Sequence, residues 1–553
     1  MGVFRLFRHL SKRYPNSVIN FKNPNKFLKK GDEPKPIVHD YSTEVCAIDL
    51  NAFIHPACQK VYEYGEGEKT KSIFWTNIKK KMSPEELEKM AFNMITKKIE
   101  ELISLTKPSK GVFIAVDGVA GSSKAYQQRQ RRFKTSTSVN AYGFDPNCIT
   151  TGTAFMDKLC KHILFFINKK KKFEWKNLQV LYSDVSCPGE GEHKMIRYLE
   201  DNKVYSCTIV SPDADLIMLS LTLKVKKVYI FRENVFDDVD ADYFFVDIKE
   251  LKNCILKDIK YISIDHPFIE ENALKDYVFF TFLIGNDFLP HIHSLEITNQ
   301  GIDILYKCYL ETVIEKGNLI YTQANKILFN KKAVEELMKQ LASLETKMLL
   351  DKYENVKVKY PDRLLQKHII KTTKGNEVDF VNFRKEYYIT KMKVSEEDLE
   401  EEIMGVCCQY MKTMLYICTY YFKGIPTFSW MYTKNYSPLL SDLYKYCSKS
   451  ILEYTFTPQK PLSKAESLLS ILPIKSFYLL PPTVRETLEG KLSMDSEFNC
   501  DVEVDLDGCM QEYEAKVVLP LVSYDKIKKL FSMVNLTEQE KKNNEVGKVY
   551  MWK

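Results

Sequence analysis

The stretch Val45-Cys-Ala-Ile-Asp49-Leu-Asn51 decides the fold, because a short β-rich apolar run ends there in a carboxylate. Four further runs of β-branched and aromatic residues predict strands in the first half of the chain. The five predicted strands cover residues 45–50, 111–116, 179–183, 207–211 and 227–231. Helical patterns separate them, so the sequence predicts an α/β fold with a largely parallel, twisted sheet that is flanked by helices.

The clearest of these helices lies between the first two strands. Ser83 can cap it, Pro84 suits its first turn, and Glu86 completes a capping box. Pro108 marks its end. Its apolar stripe consists of Leu87, Met90, Ala91, Met94, Ile95, Ile99, Leu102 and Ile103.

Seven carboxylates lie in five short blocks, and several fall at or just past the carboxyl ends of predicted strands. They are Asp49, Asp117, Glu190, Glu192, Asp213, Asp215 and Asp287. Ligands of open parallel sheets bind beyond those ends. Converging carboxylates repel one another, which raises their pKa values and destabilises the site unless cations are bound. Oxygen ligands select hard ions such as Mg²⁺ or Mn²⁺, so the blocks predict metal-assisted phosphoryl chemistry.

Each acid also has an ordinary alternative, because a single Asp after a strand is most often a cap or turn residue. The doublets Glu190-Gly-Glu192 and Asp213-Ala-Asp215 are harder to explain in that way. In an extended segment, carboxylates two residues apart point to one side. Each doublet could therefore bind metal from a single face, and two ions roughly 3.5–4 Å apart would suit phosphodiester hydrolysis.

A cationic group follows Asp117 closely. Lys124, Gln128, Arg131 and Arg132 share one side of a predicted helix by their i, i+4, i+7 and i+8 spacing. Their donors suit a terminal phosphate, which an arginine can bind through two hydrogen bonds. An exposed basic helix is the alternative when this segment is considered alone.

Three rings are candidates for stacking on a nucleobase. They are His55, Phe428 and Trp430. The alternatives are a hydrogen-bonded structural histidine and aromatic side chains that are buried in the core.

The composition is that of an ordinary globular protein, with 553 residues and a formal charge of +7. A chain of this length suggests several units, which we expect at 1–298, 299–400 and 401–553. Within them we expect a buried helix over 404–422 and a strand-like segment over 501–520 that precedes a frayed tail. Fourteen scattered cysteines without a CxxC pair favour reduced thiols, and no apolar stretch predicts a membrane span.

The blocks and their order resemble the XRN family of 5′→3′ exoribonucleases over essentially the whole chain. The stretches that carry the resemblance include Met1-Gly-Val-Phe-Arg-Leu-Phe-Arg-His-Leu10, Ile48-Asp-Leu-Asn-Ala-Phe-Ile-His-Pro56, Gln127-Gln-Arg-Gln-Arg-Arg-Phe133, Pro188-Gly-Glu-Gly-Glu-His-Lys194, Asp213-Ala-Asp-Leu-Ile-Met-Leu219 and Gly285-Asn-Asp-Phe-Leu-Pro-His291. The resemblance implies a PIN/FEN-like nuclease core, a helical, tower-like elaboration, and a C-terminal region that is packed onto the core and closes the active-site pocket.

The resemblance also implies roles for the candidate residues. The seven carboxylates match the family's Mg²⁺ ligands, and the cationic group matches its pocket for a 5′-monophosphate. His55 matches the residue that stacks on the first base, and the family's stacking tryptophan maps near Phe428 or Trp430. Gly121-Ser-Ser replaces the family's usual Pro-Arg-Ala beside the pocket.

These roles predict a processive exonuclease that degrades 5′-monophosphorylated single-stranded RNA to mononucleotides by hydrolysis that depends on Mg²⁺ or Mn²⁺. One alternative is a flap endonuclease or 5′-exonuclease that acts on DNA. Another is a catalytically inactive RNA-binding scaffold. We expect a cytoplasmic protein without a membrane partner, with the nucleus as the alternative compartment.

Overall fold

The computed structural model describes residues 6–26, 35–65, 72–135, 142–260, 269–297, 300–355, 358–450 and 454–553. The first five residues of the family-like opening stretch lie outside these ranges. The unit boundary that the sequence predicts at 298–299 lies outside them as well.

The central sheet has eight strands within the described residues. They are β1 (Val18–Phe21), β2 (Val45–Asp49), β3 (Gly111–Ala115), β4 (Gln179–Ser183), β5 (Ser206–Val210), β6 (Lys227–Glu233), β7 (Tyr243–Asp247) and β14 (Tyr550–Trp552). Their order across the sheet is β1-β7-β6-β5-β2-β3-β4-β14. Strands β2 to β6 pair in parallel, whereas β7 and β14 join their neighbours antiparallel. The predicted sheet and its five predicted strands are confirmed.

Helices cover both faces of this sheet. Those of the first half are α1 (Leu6–Arg13), α2 (Asn51–Tyr62), α3 (Ile73–Lys79), α4 (Pro84–Thr106), α5 (Ser122–Thr135), α6 (Ala154–Lys171), α7 (Gly191–Asp201), α8 (Asp215–Thr222), α9 (Ile248–Lys260) and α10 (Glu270–Thr281). Ser83 and Glu86 form the predicted capping box of α4. Met90 and Met94 of its predicted stripe are only half-buried, while the other six residues are buried.

Both faces of the sheet are buried, as is usual when helices cross over between parallel strands. Successive residues of β2 show this clearly. Ala47 packs into one hydrophobic core and Ile48 into a second core on the opposite face. The acidic side chains of these strands lie at the strand ends, where the candidate site is.

The helical region, which we define as residues 269–450, follows the sheet. Beyond α10 its elements are α11 (Gly301–Lys316), β8 (Ile320–Gln323), β9 (Lys326–Phe329), α12 (Lys331–Glu354), α13 (Arg363–Lys367), β10 (Ile369–Thr372), β11 (Gly375–Val378), α14 (Phe380–Thr390), α15 (Leu399–Lys423) and α16 (Leu440–Ser450). Helix α15 is the buried helix that the sequence predicts. The hairpins β8–β9 and β10–β11 are not predicted by the sequence.

The last part of the chain returns to the sheet. It contains α17 (Lys464–Ile471), α18 (Pro482–Leu492), β12 (Glu503–Asp505), β13 (Lys516–Val518), α19 (Tyr524–Phe531) and α20 (Glu538–Asn544) before β14. The β12–β13 hairpin confirms the strand-like segment. The prediction of a frayed tail is wrong, because the backbone edge of β4 gives β14 its hydrogen-bond partners. Trp552 Nε1 also donates to Asn168 Oδ1 at 2.9 Å.

Within the described residues, no helix is both long and apolar enough to span a bilayer. All fourteen cysteines are free thiols. The predicted reduced thiols are therefore confirmed.

Candidate active site

The predicted carboxylates lie at the ends of strands and at the starts of helices. Asp49 is the last residue of β2, and Asp117 lies just beyond β3. Glu190 is the N-cap of α7, and Asp215 is the first residue of α8. The prediction that the two doublets lie in extended segments is therefore wrong. The positive end of a helix dipole stabilises negative charge at these positions, which explains why the doublets begin helices.

Two carboxylates of the site are fixed by polar neighbours that the sequence does not predict. Ser211 Oγ donates to Asp49 Oδ2 at 3.0 Å. Asn51 Nδ2 donates to Asp117 Oδ2 at 3.0 Å, and the Asp117 N–H donates back to Asn51 Oδ1. Gly191 N donates to the other Asp117 oxygen at 2.7 Å. Each of these bonds holds a carboxylate in one orientation at the carboxyl ends of the strands.

The acids repel one another, as the sequence predicts for a converging set. Burial raises the pKa of Asp49 to about 7, and the charges of Asp117 and Asp213 act in the same direction. Burial likewise raises the pKa of Asp215 to about 8, with further contributions from Asp213 and Asp287. The structure therefore brings residues from separate strand ends within electrostatic reach of each other.

The cationic face of α5 consists of the cationic group Lys124, Gln128, Arg131 and Arg132. Lys124 connects this face to the acids. Its Nζ lies 2.5 Å from Glu190 Oε2 and 2.6 Å from Asp287 Oδ2. Gln127 Nε2 donates to Asp287, and Arg131 Nη2 lies 3.8 Å from the same carboxylate. Burial opposes ionisation of Asp287, but Lys124 and Arg131 hold its pKa well below the usual range. Lys124 and Arg131 of the cationic group thus form one cluster with Glu190 and Asp287.

The far end of this cationic face lies beside His55. Arg132 Nε donates to Thr150 Oγ1 at 2.8 Å, and its Nη1 donates to the Gln128 carbonyl at 3.2 Å. His55 is exposed to solvent, although many protein atoms surround its ring. These neighbouring protein atoms remove water from the ring. This desolvation, together with the positive charges of Arg132 and Arg131, lowers the pKa of His55 to about 4. The ring is therefore neutral at physiological pH and open to a ligand.

The serines of the Gly121-Ser-Ser stretch tie α5 to the loop that carries the other two rings. Ser122 donates to the Phe428 carbonyl through both its backbone N–H and its hydroxyl, each at 2.9 Å. Ser123 Oγ donates to the Trp430 carbonyl at 2.7 Å. These two serines thus anchor the start of α5 to that loop, beside Lys124.

Phe428 and Trp430 differ in the contacts that their side chains make with the rest of the protein. Trp430 Nε1 donates to Thr413 Oγ1 at 3.1 Å, and its ring lies 5.2 Å from that of Phe456. Phe428 is half-buried, and its ring makes no aromatic contact within the described residues. Phe428 is thus the ring of the two that is available to a ligand.

Gly118 permits a close approach that places the glutamates. A Cβ at this position would lie 1.8 Å from the Cys187 carbonyl oxygen, so any side chain would push the two segments apart. Gly118 N donates to the Gly189 carbonyl at 2.9 Å, and Gly189 N donates to the Val119 carbonyl at 2.9 Å. The loop before Glu190 is therefore held directly against the segment after β3.

The donor set fits a hard divalent cation by its chemistry, because all seven candidate ligands are carboxylates. As the side chains stand, Lys124 bridges Glu190 and Asp287. Among the described residues, no three His, Cys, Asp or Glu side chains surround one point closely enough to hold an ion. Lys124 supplies part of the positive charge that the clustered acids require.

Four residues of the site were not predicted from the sequence. They are Asn51, Gln127, Ser211 and Tyr420. Gln127 lies one turn from Lys124, so helical spacing could have indicated it. Tyr420 donates its hydroxyl to Glu190 from a position 230 residues away, and no local pattern marks that contact.

Two family models match the chain. The model described as the XRN 5′-3′ exonuclease N-terminus matches residues 1–143 and 135–234. The model described as the Xrn1 helical domain matches residues 267–382 and 379–552. Together they cover the strands β2 to β6, all seven predicted acids and the helical region.

Curated relatives align over almost the entire chain. Human 5′-3′ exoribonuclease 1 is 26% identical, with 100% of this chain and 35% of the human protein aligned. Chicken 5′-3′ exoribonuclease 2 is 24% identical, with 99% of this chain and 72% of that protein aligned. The chain thus spans about a third of the length of the human relative. A solved structure, the T5 D15 protein co-crystallized with metal ions, aligns at 11% identity with a TM-score of 0.26, which is too low to bear on the site.

The two matches extend along the chain from the acid-bearing strands to the helical region. Because the two family models together cover most of its length, the chain belongs to the XRN 5′-3′ exonuclease family.

Proposed function

We propose that this chain is a processive 5′→3′ exoribonuclease that hydrolyses single-stranded RNA from a 5′-monophosphate end. The observation that carries the proposal is the position of Lys124, which joins the cationic face of α5 to Glu190 and Asp287. A terminal phosphate bound by that face would lie beside the clustered acids. Family membership and relatives that are named 5′-3′ exoribonucleases support the same activity.

The cationic face would select the end of the RNA. Lys124, Gln128, Arg131 and Arg132 offer charged and neutral donors, and a guanidinium can bind a phosphate through two hydrogen bonds. Arg131 is the most exposed of the charged side chains that contact the acids, at 40% of its side-chain surface. A single phosphate would fit this group, whereas a cap or triphosphate would be too large.

The seven carboxylates would hold Mg²⁺, with Mn²⁺ as a substitute and two ions in the site. Such ions would polarise the scissile phosphodiester and activate the attacking water. The chain's own residues would prepare the site for this chemistry. Asn51 and Gly191 fix Asp117, and Ser211 fixes Asp49, so these ligands need no reorientation. Lys124 would turn toward the phosphate once the acids have cations.

The first base would stack between His55 and Phe428. A neutral imidazole presents a flat face, and the low pKa of His55 keeps it neutral. Phe428 makes no ring contact within the described residues, whereas Trp430 donates to Thr413 and packs against Phe456. A Phe428→Ala substitution would therefore raise the KM for RNA by about 10-fold, because base stacking contributes about 1–3 kcal/mol. Unchanged RNA affinity in this variant would return the role to Trp430.

The decisive experiment compares one RNA with a 5′-monophosphate, a 5′-triphosphate or a 5′-hydroxyl, each with Mg²⁺ and with EDTA. We expect fast release of mononucleotides only from the monophosphate and only with Mg²⁺. An Asp213→Asn variant serves as the inactive control. Faster cleavage of a DNA flap would favour the endonuclease alternative, and RNA binding without cleavage would favour the scaffold. Free thiols support a reducing compartment, and we propose the cytoplasm.

A further inference from the structure

Helix α15 carries two tyrosines near the acids at the carboxyl ends of the strands. Tyr416 and Tyr420 lie one helical turn apart, and their rings are nearly parallel, with 7° between the planes and 6.2 Å between the centroids. Both side chains are buried, at 1% and 2% exposure. Of these two, Tyr420 is the one whose hydroxyl donates to an acid among the described residues, Glu190 Oε1. The Tyr416 hydroxyl donates instead to the Thr427 carbonyl at 3.1 Å.

Glu190 is consequently held from two sides by different kinds of donor. Its Oε2 pairs with Lys124 Nζ at 2.5 Å, while its Oε1 accepts the Tyr420 hydroxyl. Lysine contributes charge on a flexible stem, whereas the tyrosine hydroxyl is neutral and stands on a ring with only two side-chain torsions. A phenolic hydroxyl with its ordinary pKa of about 10 keeps its proton at neutral pH, so Tyr420 remains a donor.

The Tyr420 ring is itself fixed by residues that adjoin other acids. The His193 ring, next to Glu192 in the chain, lies 3.9 Å from it. The Phe288 ring, next to Asp287, packs against it edge-on at 5.1 Å. A movement of Tyr420 would therefore disturb two acid-bearing segments together, the start of α7 with Glu190 and Glu192 and the loop with Asp287.

We propose that Tyr420 is a positioning residue, which fixes the rotation of the Glu190 carboxylate so that Glu190 can act as a metal ligand. The inference rests on the proposed metal-dependent function, and it gives the helical region a part in the acid site itself. Partners that hydrogen-bond a ligating carboxylate typically change metal affinity or activity by 10–100-fold when they are removed. The sheet would supply the ligands, and α15 would supply the hydroxyl that orients one of them.

The test compares Tyr420→Phe with Tyr416→Phe. Each substitution removes one hydroxyl from a buried ring on the same helix, but only the first removes a donor to an acid. Mn²⁺ binding to the metal-free protein is measured by calorimetry, and kcat and KM are measured on 5′-phosphorylated RNA. We expect Tyr420→Phe to weaken Mn²⁺ binding and to lower kcat by about 10-fold each, with KM unchanged. Tyr416→Phe should stay within about twofold of the wild type in every readout.

The outcomes separate this inference from the proposed function. Equal Mn²⁺ affinity in Tyr420→Phe and the wild type would overturn the role of Tyr420 while leaving the nuclease activity intact. Equal losses in both variants, together with equal falls in melting temperature, would assign the effect to packing and would also overturn it. Weaker Mn²⁺ binding in Tyr420→Phe alone would support the inference even if RNA proved not to be the substrate.

Discussion

Buried carboxylates occur in two regions of the molecule, and they have different neighbours. At the sheet edge, Asp215 faces Asp213 and Asp287, and its carboxylate accepts no hydrogen bond from the described residues. In the helical region, Asp276 accepts four hydrogen bonds from the segments around β8 and from α11, and none of these described partners is an acid. Asp215 therefore has charges of its own sign nearby, partly offset by Lys124, whereas Asp276 is surrounded by hydrogen-bond donors.

The pKa values of these two acids are nevertheless similar. Burial raises the pKa of Asp276 to about 7, and burial with two neighbouring acids raises that of Asp215 to about 8. A raised pKa therefore does not by itself mark a functional carboxylate. The mutual approach of several acids is the property that separates the candidate site from a structural acid.

Asp215→Asn is expected to show the largest effect, because it removes one acid of the site without changing its shape. Activity on 5′-phosphorylated RNA should fall by at least about 100-fold, since metal-bound charge contributes several kcal/mol to phosphoryl transfer. The free energy of unfolding without metal should not fall, because like-charge repulsion is relieved. Kinetics and chemical denaturation measure the two effects, and a large loss of stability would place Asp215 with the structural acids.

Gly118→Ala would disturb the same acids without altering their charge. The new Cβ would meet the Cys187 carbonyl oxygen at 1.8 Å, so the loop before Glu190 has to move. Steric overpacking of this kind costs about 1–3 kcal/mol of stability. We expect kcat to fall by about 10-fold or more with a smaller change in KM. Full activity in this variant would mean that the loop position does not set the site.

In the helical region, Glu345→Ala should lower stability and leave activity nearly unchanged. Glu345 accepts the N–H groups of Leu440 and Ser441 at the start of α16, at 2.7 and 2.8 Å. Its removal leaves buried donors without partners, which costs about 1–3 kcal/mol. The melting temperature should fall while kcat at low temperature stays within about twofold. A fall in kcat without a fall in stability would contradict the structural assignment.

The pH dependence of stability should show the smallest of these effects. Because the pKa of Asp276 is raised in the folded state, its ionisation destabilises the fold, so stability decreases as pH rises from about 5 through 7. One such group contributes at most about 1.4 kcal/mol per pH unit. Denaturation of the wild type and Asp276→Asn at pH 5, 6, 7 and 8 should give a shallower slope for the variant. Parallel curves would show that Asp276 is ionised throughout.

Much of the sheet and the acids could be predicted because their information is local. A β-branched run ends in Asp49 within seven residues of sequence, and a helical period places Lys124 and Arg131 on one face. Strand β14 could not be predicted in this way, since three exposed or half-buried residues become a strand only beside β4. Ser211 and Tyr420 acquire their roles from partners 162 and 230 positions away.

The pairing of β14 with β4 has a consequence for how the chain is made. Val180 of β4 pairs with Trp552, so β4 has no outer neighbour until the residues between them have left the ribosome. An uncovered strand edge recruits other chains. Shortened versions that end before residue 550 should therefore aggregate during expression, even when every acid and every cation of the site is present in them.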